Sequence, residues 1–384
     1  MTRVRPAVSA RSQVDPFIVM DVMEAARRRE ASGARVVHME VGQPGTPAPK
    51  AARAALARAM EDGPLGYTVA LGLPELRARI ARLYQDRYGL DLDPARVIVT
   101  AGSSAAFILA FTALFDAGGR VGLGLPCYPS YRQILRALSL DPVGIETGPA
   151  ERFQPTADAL PDGLQGLVVA SPANPTGTML DAPALASLAE ACRARGVALV
   201  SDEIYHGIEY GARAVSALEV SDEAYVVNSF SKHFSMTGWR IGWMVVPEAH
   251  VRTIERLAQN LFICPPHASQ IAALHALDAE DELAANLAVY ARNRALMLER
   301  LPLAGFDRIA PPDGAFYVYA DVSGMAGDSV ALAADILARA GVAVTPGVDF
   351  DPVRGARTLR FSYARATADV EEGLERLHGW AASR

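Results

Sequence analysis

Lysine is nearly missing from this 384-residue chain: of its 37 basic residues, only Lys50 and Lys232 are lysines. Cysteine is scarce too. Cys127, Cys192 and Cys264 form no CxxC pair and no finger spacing. That excludes a zinc finger or a disulfide scaffold and predicts a reducing compartment, the cytoplasm. No apolar run approaches the roughly 20 residues of a membrane span, so no membrane partner is expected. The net charge of −6 gives no general attraction to nucleic acid. Asn174-Pro-Thr176 cannot accept a glycan, because proline fills its middle position.

What is present is core-forming material. Hydrophobic residues make up 51% of the chain, which argues against disorder. The first 14 residues hold Arg3, Arg5 and Arg11 with no acid before Asp15, and read as a short flexible arm. Beyond it the rhythm is apolar strand, polar loop, helix. Strands are expected at 96–100, 166–170, 198–201, 224–227 and 241–246. Helices are expected at 74–88, 105–115 and 183–194. Short apolar strands alternating with helices predict an α/β domain whose sheet is covered on both faces. From about residue 286 the texture becomes α+β, with helices at 290–300, 329–340 and 367–382 and strands at 315–321 and 358–361. Ser329 and Thr367 suit capping positions.

Four polar segments sit where strands end. Thr100-Ala-Gly102-Ser103-Ser104 runs from a strand through a glycine into a helix start, which serves either an anion or a plain helix cap. Ser171-Pro-Ala-Asn174-Pro-Thr-Gly177 fixes its backbone with two prolines and a glycine, to aim Asn174 or simply to turn. Asp202, after Val200-Ser201, needs a cation or donor whether it serves a site or a core-edge ion pair. The densest segment is Asn228-Ser229-Phe-Ser231-Lys232 with Arg240 eight residues past the lysine. An ammonium can lose its proton and attack a carbonyl, whereas a guanidinium cannot. Hydroxyls and one guanidinium around that amine suit a phosphate. Together the segments describe a site for pyridoxal 5′-phosphate (PLP), which needs a Schiff-base lysine and a partner for its ring nitrogen.

From Phe17 onward the chain resembles the class I and II aminotransferases of the fold-type-I PLP enzymes. The resemblance rests on Asn174-Pro-Thr-Gly177, on Asp202-Glu-Ile-Tyr205 and on Ser229-Phe-Ser231-Lys232 with Arg240, in that order along the chain. It implies a large domain (48–285) with a mostly parallel seven-stranded sheet. A smaller α+β domain would be built from residues 1–47 and 286–384. It further implies that Lys232 carries PLP as an internal aldimine and then shuttles the substrate proton. Asp202 would pair with the ring nitrogen, Asn174 and Tyr205 with the phenolic oxygen, and Tyr128 would stack on the ring. Phosphate contacts would come from Ser103, Ser104, Ser229, Ser231 and Arg240, and from Tyr67 of a neighbouring subunit in an obligate homodimer. Arg360 and Gly42, with Asn174, would hold the substrate carboxylate.

The implied activity is ping-pong transfer of an amino group between an amino acid and a 2-oxo acid. A β-lyase or decarboxylase would use the same cofactor residues, and a non-catalytic sensor would share the fold. Ser104 stands where some members carry a lysine for acidic substrates, and Asp351 where a glycine usually follows Phe350. The second difference is expected to alter one edge of the substrate entrance. The side-chain pocket is expected near residues 17–19, Tyr67 and 349–351, where apolar 17–19 favour aromatic or aliphatic amino acids and leave acidic ones open. Gly122-Leu-Gly124 fails as a dinucleotide loop because Pro126 follows it. His206 and His233 lack companions at metal spacing and read as structural, and Cys127 reads as packing.

Overall fold

The computed structural model of the protein describes residues 7–384. Arg3 and Arg5 of the expected arm lie outside the described residues. Residues 7–14 are exposed, and just past them Asp15 accepts from Arg136 at 2.5 Å while its N–H donates to Gln133 at 3.1 Å. Among the described residues no helix is long and apolar enough to cross a membrane.

A seven-stranded sheet forms the centre. Its spatial order is Val97–Thr100, Gly242–Val245, Tyr225–Ser229, Ala198–Asp202, Gly166–Ala170, Arg120–Leu125 and Asp141–Glu146. Only Gly242–Val245 runs against its neighbours; the other four pairings are parallel. The strand sequences explain this placement. Val97, Val99, Leu167, Val169, Leu199 and Val226 enter one buried cluster. The alternate residues Ile98, Val168, Val200 and Val227 enter another on the opposite face. A strand buried on both faces must be apolar throughout, with no polar alternation.

Two strands escaped the pattern. Arg120–Leu125 and Asp141–Glu146 carry Gly122, Gly124, Pro142 and Gly144 in place of β-branched residues. The rejected dinucleotide motif is therefore strand interior.

The N- and C-terminal segments build a second core. Tyr317–Asp321 pairs antiparallel with Thr358–Ser362 and with Arg308–Ile309. Val37–His38 pairs in parallel with Val342–Ala343, and Ser362 N–H donates to Met39 O at 2.7 Å. The expected division at residues 285 and 286 falls inside an unbroken helix, Glu280–Arg300. Its Leu283 packs into the sheet core and its Tyr290 and Met297 into the second core. An apolar face shared between two cores leaves no linker to read in the sequence.

Candidate active site

Six strands point the same way, and the carboxyl ends of five of them carry the predicted residues, where open α/β sheets bind ligands. Ser103 and Ser104 follow Val97–Thr100, Tyr128 follows Arg120–Leu125, Asn174 follows Gly166–Ala170, Asp202 ends its strand, and Ser231 and Lys232 follow Tyr225–Ser229. Together with Gly42, Tyr205, Arg240 and Arg360, these residues line one cavity of about 230 Å³.

Lys232 is the amine of the site. Its Nζ donates to Gly42 O at 2.6 Å. Burial, then the charges of Arg360 and Arg240, pull its pKa down to about 8 against the opposing pull of Asp202. A neutral, nucleophilic form is thus populated near physiological pH. Asp202 is the matching anion. Burial pushes it up to about 6, opposed by the Tyr131 hydroxyl, the Ile204 N–H and the Lys232 charge. The Tyr131 hydroxyl donates to Asp202 Oδ2, and Ile204 N–H donates to Oδ1 at 3.1 Å. Those bonds fix the carboxylate's plane.

Ser103 opens the helix Ser103–Leu114, so the first-turn N–H groups lack intrahelical partners where Ser103 and Ser104 line the cavity. Gly102 before it has φ +80°, and a Cβ there would strike the Arg240 guanidinium. Glycine is what lets that arginine lie across the helix start. Arg240 itself is held in the left-handed region, φ 50°, a conformation the surroundings must enforce.

Arg360 is buried on the far side. Its Nη1 donates to Asn174 Oδ1 at 2.9 Å, and its Nη2 to Thr345 Oγ1 at 3.2 Å and to Glu40 O. The guanidinium lies between two rings, 4.4 Å from the Tyr317 centroid and 4.7 Å from that of Phe350. A planar cation clamped between π-faces is preorganised for a planar anion.

Two expected cofactor residues stand outside the cavity. Ser229 is buried behind Ser231: its hydroxyl donates to Ser231 Oγ at 2.8 Å and accepts Ser231 N–H at 3.1 Å. It braces Ser231 and does not face the site. Tyr67, expected to serve a neighbouring subunit, is 83% exposed and does not line its own chain's cavity.

Asp351 corrects the expectation about the substrate entrance. It is buried away from the entrance, accepting Val353 N–H and Arg354 N–H at 2.9 Å each and pairing with Arg354 Nε. Asp349 does shape the entrance, by accepting the N–H groups of Ile18 and Val19 at 3.2 Å each. Near Lys232, His206 is buried and His233 half-buried, and desolvation drives each down to about 3 and so keeps it neutral. Burial pushes the Cys127 thiol up to about 12, an unreactive value.

Two site residues carried no assigned role from sequence. Tyr131 lies three residues after Tyr128, a spacing that puts both rings on one side of the helix Pro129–Ala137. Tyr317 gave no local signal: it sits in an aromatic strand, Tyr317–Asp321, that reads as core.

One cavity thus brings together an amine poised to lose its proton, a buried carboxylate, a helix start beside an arginine and a guanidinium held between two rings, a set with the chemistry of a PLP-dependent transferase. The family model "Aminotransferase class I and II" matches residues 34–377, and the chain belongs to that family. It is 50% identical to the valine–pyruvate aminotransferase of Mycobacterium tuberculosis, over 98% of this chain and 99% of that protein. A solved Silicibacter pomeroyi structure is 66% identical, covering 99% of this chain and 100% of its own, with a TM-score of 0.94. The aspartate aminotransferase of Thermus thermophilus, solved with maleate, is 33% identical, covers 98% of this chain and 100% of its own, and superposes with a TM-score of 0.91. The protein is a PLP-dependent aminotransferase with the α/β fold expected from sequence.

Proposed function

We propose that the enzyme moves the amino group of a neutral, aliphatic amino acid, valine among them, to a small 2-oxo acid. The observation that carries this is the wall around Arg360. Phe17, Val19, Met20, Val41 and Ile204 are apolar, and among the described residues the cavity's side-chain cations are Lys232, Arg240 and Arg360 alone. Each has other work in this reading, so an acidic side chain would be desolvated without a partner. Similarity to the valine–pyruvate enzyme supports the same choice.

When bound, PLP supplies an aldehyde that takes up the amino group and a ring that withdraws electrons from the substrate α-carbon. The residues do the rest. Asp202 holds a proton at the ring nitrogen, and Asn174 and Tyr205 hydrogen-bond the phenolic oxygen. Tyr128, on the cavity wall, would hold the ring by stacking. The helix start at Ser103 and Ser104, with Ser231 and Arg240, binds the phosphate. Arg360 grips the α-carboxylate with Gly42 and Asn174 beside it, fixing which α-carbon bond faces Lys232. The Lys232 amine, neutral above about pH 8, would serve as the general base that takes the α-proton and as the acid that gives it back.

We also read the enzyme as a cytoplasmic homodimer in which Tyr67 of a second copy completes the phosphate site. Exposed Tyr67, Val69, Leu261 and Ile263 support an apolar face made to be covered.

Single amino acids, mixed one at a time with the PLP-loaded enzyme and no acceptor, test the substrate reading through the loss of visible absorbance. Valine should react roughly 100-fold faster than aspartate at equal concentration. Equal rates would overturn it.

A further inference from the structure

Tyr317 carries two contacts on one side chain. Its ring supports the Arg360 guanidinium at 4.4 Å, and its buried hydroxyl lies 2.7 Å from the hydroxyl of Tyr205. The two rings meet edge to face, with centroids 5.7 Å apart. The backbone at Gly42 closes the other side so tightly that a Cβ there would overlap the Tyr317 hydroxyl. Among the described residues, Tyr205 is the hydroxyl's one hydrogen-bond partner.

Proton counting assigns the direction. A tyrosine hydroxyl has one hydrogen to give. If Tyr205 gives its hydrogen to the cofactor's phenolic oxygen, it can only accept from Tyr317. We propose that Tyr317 is a positioning residue for the reaction: by donating to Tyr205, it turns the Tyr205 hydrogen toward the cofactor and strengthens that bond. Donation into a hydroxyl polarises its own O–H, so the second bond gains from the first. The ring meanwhile holds Arg360 flat for the substrate carboxylate. One residue thus links the cofactor's phenolic oxygen to the carboxylate clamp. The inference rests on the Tyr205 role proposed above.

Three variants separate the parts, each read in the PLP-loaded enzyme by pH titration of the visible absorbance. Tyr317→Phe keeps the ring under Arg360 and removes only the hydroxyl. Weaker donation leaves the phenolic oxygen more basic, so the proton shared at the lysine–cofactor linkage is held to higher pH. The midpoint should rise by about 0.5 to 1 unit, while acetate, a non-reacting monocarboxylate, binds within about twofold of its original affinity. Tyr317→Leu should give the same shift and also weaken acetate about fivefold, because the cation loses its π-face.

Tyr205→Phe is the control and should shift the midpoint upward by more than either. A shift in Tyr205→Phe with none in Tyr317→Phe overturns this inference and leaves the Tyr205 role standing. No shift in either variant removes the Tyr205 role and the inference with it. A purely packing role for Tyr317 would lower the melting temperature and leave the midpoint in place, and that result also refutes it.

Discussion

The catalytic cavity has two walls made in different ways. One is the carboxyl edge of the seven-stranded sheet, where Ser103, Asn174, Asp202 and Lys232 each stand within four residues of a strand end. The other is drawn from the chain termini: Phe17, Val19 and Gly42 from one, Tyr317 and Arg360 from the other. In the proposed reading, the sheet wall holds the groups for the cofactor. The terminal wall holds the apolar surface and the guanidinium clamp proposed for the substrate. Chemistry and selectivity are therefore built on separate scaffolds, and they should fail separately.

The largest break falls on the sheet wall. Lys232→Ala removes the amine proposed to hold the cofactor and to move the proton, so turnover should fall by roughly 10⁴-fold or more. Folding should not suffer: the side chain's one hydrogen bond goes to Gly42 O, and burying an ammonium is itself costly. An unchanged melting curve with activity lost is the expected pair. Transamination persisting within tenfold of the original would remove Lys232 from its assigned role.

The same contrast explains what could be read in advance. Asn174–Gly177, Asp202–Tyr205 and Ser229–Lys232 are contiguous blocks, because a strand end, its turn and its functional side chain lie within a few residues. The strands that carry them were legible for the same reason. Arg120–Leu125 and Asp141–Glu146 were not, since close packing at their glycines overrides the usual β-branched signal. Tyr317 faces the cavity through its strand's register, Tyr317 opposite Ser362, and a one-residue slip would turn it away. No local pattern encodes that register. Asp349 was expected at the pocket's edge, yet its partners lie 331 and 330 residues away in sequence.

Arg360 tests whether the clamp depends on shape or only on charge. Arg360→Lys keeps the cation and loses the flat fork that reaches Asn174 and Thr345 from between two rings. We expect KM for both the amino acid and the oxo acid to rise about 30- to 100-fold, since bidentate geometry is lost. The visible spectrum of the loaded enzyme should stay in place, because the sheet wall is untouched. A rise of less than threefold would mean that charge alone recruits the substrate.

Asp349 offers the smallest and most selective break. The helix Ile18–Ala31 has no side-chain cap of its own: Phe17 precedes it, and the first-turn N–H groups of Ile18 and Val19 reach Asp349 instead. That helix start places Phe17, Val19 and Met20 on the cavity. Asp349→Ala leaves those N–H groups without a partner, a loss of about 1 kcal/mol, or fivefold in an equilibrium constant. The wall should then dock less firmly. A substrate that touches it suffers, and one too short to reach it does not. KM for valine should rise about fivefold with kcat nearly constant, while alanine changes by less than twofold. Asp349→Asn keeps one acceptor oxygen and should recover about half of the loss. If valine and alanine fall equally, Asp349 acts through its neighbour Phe350, whose ring rests on Arg360 at 4.7 Å. The terminal wall would then serve the clamp alone, and selectivity among aliphatic side chains would have to arise elsewhere in the cavity.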